Sequence, residues 1–112
     1  MKKLIAIPAE KGKLCPHFGH CEYFAVYETE DNKIIAETKI PAPPHKPGLL
    51  PKLLGQHNIT DVITGGIGQN AIKLLKKQNI NVYVGVSSTD ISQIIDSFLK
   101  GTLQTSVNKC DH

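Results

Sequence analysis

The sequence has no arginine and no tryptophan. All thirteen basic residues are lysine, and they are scattered along the chain. Arginine is the preferred side chain for bidentate recognition of phosphates and base edges. Aromatic residues are sparse and are not interleaved with the lysines. The mild net charge of +3 therefore gives no support to a nucleic-acid role. No apolar run approaches the roughly 18 residues of a membrane span. The apolar residues after Met1-Lys2-Lys3 are too few for a signal peptide, so a cytoplasmic protein is expected. Catalytic signatures are also missing. There is no G-x-S-x-G, and no pair of carboxylates sits on inward strand positions for two-metal chemistry. A Cys–His nucleophile would lack a third orienting group.

Three cysteines form an odd set in a chain expected to sit in a reducing compartment. That favours metal binding, redox chemistry or inert burial over a disulfide framework. At 112 residues the chain is long enough for one domain with a real core.

Lys3 to Ile7 reads as a buried strand ended by Pro8, followed by a polar loop from Glu10 to Lys13. Glu22–Glu28 and Lys33–Ile40 read as two strands joined by the turn Glu30–Lys33, hence an antiparallel hairpin. The segment from Pro41 to Pro47 holds four prolines and can join neither a helix nor a central strand. A helix is predicted from about Gly48 to His57, on the spacing of Leu49, Leu50, Leu53 and Leu54. His57 near its end suits the helix dipole. Asp61–Thr64 is a short strand, Gly65–Gly68 a tight turn and Gln69–Gln78 an amphipathic helix. Asn81–Val84 is a further strand. Ile91, Ile94, Ile95, Phe98 and Leu99 mark a last helix, with cap candidates among Ser87–Asp90 and Gly101 at its end. The expected class is α/β, one mixed five-stranded sheet with three helices: an antiparallel meander followed by a parallel βαβ unit. The domain should span residues 1–103, with 104–112 as a tail.

The chemistry concentrates in Cys15-Pro16-His17-Phe18-Gly19-His20-Cys21. Thiolate and imidazole suit zinc, copper, iron and iron–sulfur species. In an extended segment Cys15 and His17 share a side, while His20 and Cys21 diverge, so one ion should not take all four. Cys110-Asp111-His112 repeats the Cys-x-His spacing. Together Cys15, His17, Cys110 and His112 could build a closed tetrahedral zinc site; equally, the tail could be frayed. His45, within the proline-rich segment, is either solvated or a ligand on a mobile lid. Gly66-Ile67-Gly68-Gln69-Asn70-Ala71 matches G-x-G-x-x-A between a strand and a helix. No acidic residue closes the next strand, which argues against a dinucleotide. Gly66, Ile67 and Gly68 still allow close approach of backbone to an anion at a helix start.

These residues resemble the nitrogenase iron–molybdenum cofactor biosynthesis family, the small domain shared by NifX-like, NafY-like and NifB C-terminal proteins. The resemblance covers residues 2 to 103. It rests on His17-Phe18-Gly19 followed by Tyr23-Phe24 and Ala25-Val26-Tyr27, on Gly65-Gly66-Ile67-Gly68-Gln69-Asn70-Ala71, and on Ile80-Asn81-Val82-Tyr83. It implies a ribonuclease H-like three-layer fold. It also implies non-catalytic binding or carriage of an iron–sulfur or iron–molybdenum cluster, exchanged with donor and acceptor proteins. By position, His17 is the family's H-F-G histidine, and His45 lies where relatives often carry a histidine. Cys15, Cys21 and Cys110 look like an enrichment of the stand-alone members. The alternatives are a mononuclear zinc or copper protein with a structural or sensing site, and a metal-free interaction module.

Overall fold

The structure is a computed structural model, and it describes residues 2–43, 49–103 and 105. It is organised by β1 (Lys2–Glu10), whose apolar run is buried on both faces, with Ile5, Ala6 and Ile7 fully inaccessible. Such a run suits the centre of a sheet covered on both sides. The sheet order is β4-β3-β1-β5-β6, with β3 (Tyr23–Glu30), β4 (Lys33–Pro41), β5 (Asp61–Ile63) and β6 (Asn81–Tyr83). β1, β3 and β4 form the antiparallel meander. β1–β5 and β5–β6 are parallel. This is the expected mixed sheet, with one addition: the two-residue strand β2 (Lys13–Leu14) pairs with the end of β1.

That addition corrects two sequence expectations. β1 does not stop at Pro8 but runs to Glu10, and the loop after it is a tight hairpin with Ala9 opposite Leu14 and Glu10 opposite Lys13. Lys11 and Gly12, at φ 52° and 81°, supply the two left-handed residues that a two-residue turn requires. Pro8 is tolerated because its nitrogen and carbonyl face away from β3. The carbonyl accepts instead from the Cys15 N–H at 2.9 Å. The β3–β4 turn is of the same kind, with Asp31 and Asn32 at φ 51° and 64°.

Alternation along the strands feeds two cores. Ala6, Phe24, Val26, Ile40 and Val62 meet α1 (Leu49–Gln56) and α2 (Gln69–Lys77) on one face. Ile5, Ile7, Ala25, Tyr27 and Ile63 meet α3 (Ile91–Lys100) on the other. The fold is thus three-layered. α3 starts as its spacing predicts: the Asp90 side chain accepts from the Gln93 N–H, and Gly101 closes the helix at φ 75°. α1 and α2 are tied by the Gln78 amide, which donates to the Pro51 carbonyl at 2.7 Å. A Cβ at Gly55 would run into that same amide. β4 is the outer strand, exposed from Lys33 to Lys39 including Ile34 and Ile35. Its lysines and an irregularity opposite Glu28/Thr29 discourage unwanted edge pairing. No helix among the described residues is long and apolar enough to cross a membrane.

Phe24 is fully buried, and its ring lies 5.4 Å from that of Phe18, which belongs to the cysteine–histidine loop. Phe24→Ala should lower stability by ~3–5 kcal/mol in urea unfolding, from lost transfer energy plus a cavity.

Candidate functional site

β1, β5 and β6 are parallel, so their carboxyl ends lie along one edge of the sheet. In open α/β sheets this is the edge where ligands gather. Three connections meet there: the Cys15–Cys21 loop, the turn Thr64–Gly68, and the stretch Val84–Asp90 before α3.

The first two are joined through the backbone. His17 pairs in parallel with Gly66, and the Phe18 N–H donates to the Gly66 carbonyl at 2.9 Å. The Thr64 hydroxyl donates to the same carbonyl at 3.2 Å. Phe18 then buries its ring in the core, and Phe18–His20 wind into one 3₁₀ turn. The third connection closes against the others: Gly85 N–H donates to Gly65 O, and Leu14 N–H to Thr89 O. Gly65 sits where all three touch. A Cβ there would stand 3.3 Å from both the Pro16 and the Val86 carbonyl oxygens, so a side chain would wedge them apart.

Cys15 is buried at 2% exposure, its Sγ 3.3 Å from the His17 carbonyl and 3.8 Å from Glu10 Oε2. His17 is exposed. The shared side expected of an extended Cys15–His17 pair is therefore divided: the thiol faces inward and the imidazole reaches solvent. Cys21 is half-buried, with Sγ 3.6 Å from the Phe18 carbonyl. His20 takes its place in the 3₁₀ turn. Burial pushes the Cys21 thiol up to about 12, and the neighbouring Cys15 adds to the rise. The Cys15 thiol is also raised, chiefly by burial; a backbone hydrogen bond with His17 partly opposes this and the Glu10 carboxylate reinforces it. At neutral pH both are thiols, so binding a metal through sulfur here must expel protons.

The glycine turn divides its roles. Gly66 and Ile67 are buried, and Ile67 is a core residue. Only Gly68 is exposed, as the residue before α2, with no side-chain cap. The positive end of the α2 dipole thus opens at the site. No group of three His, Cys, Asp or Glu side chains that could hold a metal ion is assembled among the described residues. His45, Cys110 and His112 lie outside the described residues. His57 follows α1 and is exposed, its N–H bonded to the Leu53 and Leu54 carbonyls. Sequence reasoning missed Glu10 and Thr64. Thr64, a buried hydroxyl at the end of a strand and just ahead of two glycines, carried the one signal that could have been read.

The site and fold define a small α/β domain with a cysteine–histidine loop locked onto a glycine turn at the carboxyl edge of its sheet. The profile of the family described as "Dinitrogenase iron-molybdenum cofactor" matches residues 1–101, and the chain belongs to that family. It is 33% identical over 105 residues to the uncharacterized protein MJ0580 of Methanocaldococcus jannaschii, covering 89% of this chain and 88% of that one. The crystal structure of PH0822 superposes with a TM-score of 0.86 at 31% identity, covering 92% of this chain and 94% of the other. The apo form of the orange protein from Desulfovibrio gigas shares the fold, with a TM-score of 0.78 at 22% identity over 95% of this chain and 94% of that one.

Gly65→Ala should cost ~1–3 kcal/mol by overpacking backbone against backbone. Gly68→Ala, with φ −69° and open space around it, should leave the melting temperature nearly unchanged. Thermal melts of the two variants check this. The thiols also set a pH dependence. Both are raised above the unfolded 9.0, so their contribution is complete below pH 9 and is lost as pH rises above it, for Cys21 toward about 12. Iodoacetamide at pH 8 should therefore alkylate Cys21 at least tenfold more slowly than a free thiol in the unfolded chain, as read by mass spectrometry.

Proposed function

We propose that this protein binds and carries an anionic metallocluster of the iron–sulfur or iron–molybdenum type, or its precursor, without catalysing a reaction on it. The observation that carries the reading is the backbone pairing of His17–Phe18 with Gly66. It sets the loop that carries Cys15, His17 and Cys21 against the turn that leads into α2, which supports a site drawing on sulfur, imidazole and helix-end amides at one edge of the sheet. Membership of a family described by the iron–molybdenum cofactor supports the same cargo. Cys15, His17 and Cys21 are the primary ligands, with His20 beside them. His45 and the Cys110/His112 tail are closing ligands. Gly68 admits the cargo to the amides of α2, while Gly66 and Ile67 hold the turn in place.

The donor chemistry fits such a cargo. Sulfur and imidazole match iron, and the helix start favours negative charge. Because both thiols are protonated before loading, uptake releases protons and release is assisted by acid. Exchange then proceeds with donor and acceptor proteins that deliver and collect the cluster. Residues 1–103 form the working domain in this reading, and the tail from residue 104 adjusts access. A mononuclear zinc or copper site built on Cys15 and His17 is the second reading. Among the described residues it is incomplete, and it would need Cys110 and His112 to close it.

Protein purified without oxygen and incubated with iron and sulfide should develop sulfur-to-iron charge-transfer absorption, which Cys15→Ala/Cys21→Ala abolishes. Identical, metal-free spectra of both proteins would sink the proposal. Deleting residues 109–112 separates the two readings. Cluster absorption should survive the deletion. Loss of a bound zinc ion with a large fall in melting temperature would instead establish the closed mononuclear site.

A further inference from the structure

Charge is distributed unevenly between the two helical layers. From Thr38 to Thr89 the sequence has one acidic residue, Asp61. Asp61 is buried at 1% exposure and spends its carboxylate on Thr60 Oγ1 at 2.7 Å and Asn81 Nδ2 at 3.0 Å. The layer formed by α1 and α2 therefore presents lysines with no exposed carboxylate among its described residues. Lys73, Lys76 and Lys77 are exposed on α2, and Lys52 is exposed on α1. None of the four has an ion pair among the described residues. α3, on the opposite face, follows the ordinary pattern: Asp96 and Lys100 pair at 3.0 Å, four residues apart.

Lys73, Lys76 and Lys77 stand at i, i+3 and i+4, which places them on one side of the helix. Like charges at that spacing oppose helix formation, and the helix dipole rewards only those in the last turn. Lys73, in mid-helix, is not accounted for in that way. The ridge also has a definite position. α2 starts beside the His17–Gly66 pairing, and at 1.5 Å per residue Lys73 lies ~8 Å and Lys77 ~14 Å along the axis from Gly68. A partner seated on this ridge has its edge at the cysteine–histidine loop.

We infer that the α1/α2 face is the docking surface for an acidic protein partner, which the lysines of α2 and Lys52 orient toward the loop. The inference rests on the carrier reading for what passes between the two proteins, but the surface is defined by charge alone. A protein partner is favoured over nucleic acid because the ridge has no arginine and no exposed aromatic ring to stack a base. Lysine suits a transient complex. It is a strongly hydrated point charge that steers encounter without fixing a bidentate geometry.

The probe is a 15-residue oligoglutamate peptide titrated into the metal-free, ¹⁵N-labelled protein at low salt. Amide shifts should concentrate at Lys52, Lys73, Lys76 and Lys77, and binding should weaken at least tenfold in Lys73→Ala/Lys76→Ala/Lys77→Ala. Alanine favours helix, so this variant keeps its fold, as its melting temperature will show. Raising salt to physiological strength should weaken the wild-type complex several-fold. Shifts spread evenly over Lys2, Lys13, Lys33 and Lys39, or unchanged affinity in the triple variant, would overturn the docking surface. Tighter binding of an oligothymidylate of equal charge at the same lysines would reassign it to nucleic acid. Because the titration contains no metal, its failure leaves cluster binding untouched, and a failure of reconstitution leaves the titration standing.

Discussion

One carbonyl oxygen holds the functional edge together. Gly66 O accepts both the Phe18 N–H and the Thr64 hydroxyl. The first bond attaches the cysteine–histidine loop to the sheet, and the second fixes the turn from within the strand that leads into it. A buried carbonyl with both lone pairs engaged is costly to disturb, because each lost partner leaves an unsatisfied polar group in the interior. Phe18 adds the apolar half of the attachment by packing on Phe24. The loop is therefore anchored at its middle, while its two ends are held by β1, the Cys15 N–H donating to Pro8 O and the Glu22 N–H to Ala9 O.

This anchoring explains how a site can be open and still defined. The backbone around Gly65 is too crowded to accept a Cβ freely, yet Gly68, three residues later, stands in open space. The crowding ends where the turn reaches solvent. The buried thiols belong to the same arrangement. Burial keeps them protonated, so the loop carries no thiolate charge at neutral pH, and any metal bound through sulfur would have to displace protons. If the docking inference holds, the basic α1/α2 layer sets the direction from which an acidic partner approaches.

Much of the scaffold was legible in the residues. The stripe Ile91, Ile94, Ile95 named α3 and its packing face, and the capping roles of Asp90 and Gly101 followed from their types. The meander and the βαβ unit were readable because apolar period and turn residues agreed. The end of β1 was misread because proline is a strand breaker only where its nitrogen must donate. At Pro8 the nitrogen faces the Cys15 loop rather than β3, a fact of pairing that composition does not carry. The family motifs were legible too, but as two separate stretches.

The sequence by itself determined the class of fold, the two apolar faces of the sheet and the inventory of soft ligands, because these depend on periodicity and residue chemistry. Tertiary structure alone decided that the H-F-G loop and the glycine turn are one object. His17 and Gly66 are remote in the chain, and only the parallel alignment of β1 with β5 brings their backbones into register. It also decided that Cys15 turns inward while His17 turns out, and that Gly66 and Ile67 are buried while Gly68 is exposed. Each of these depends on which groups meet across strands, and that is a property of pairing and burial.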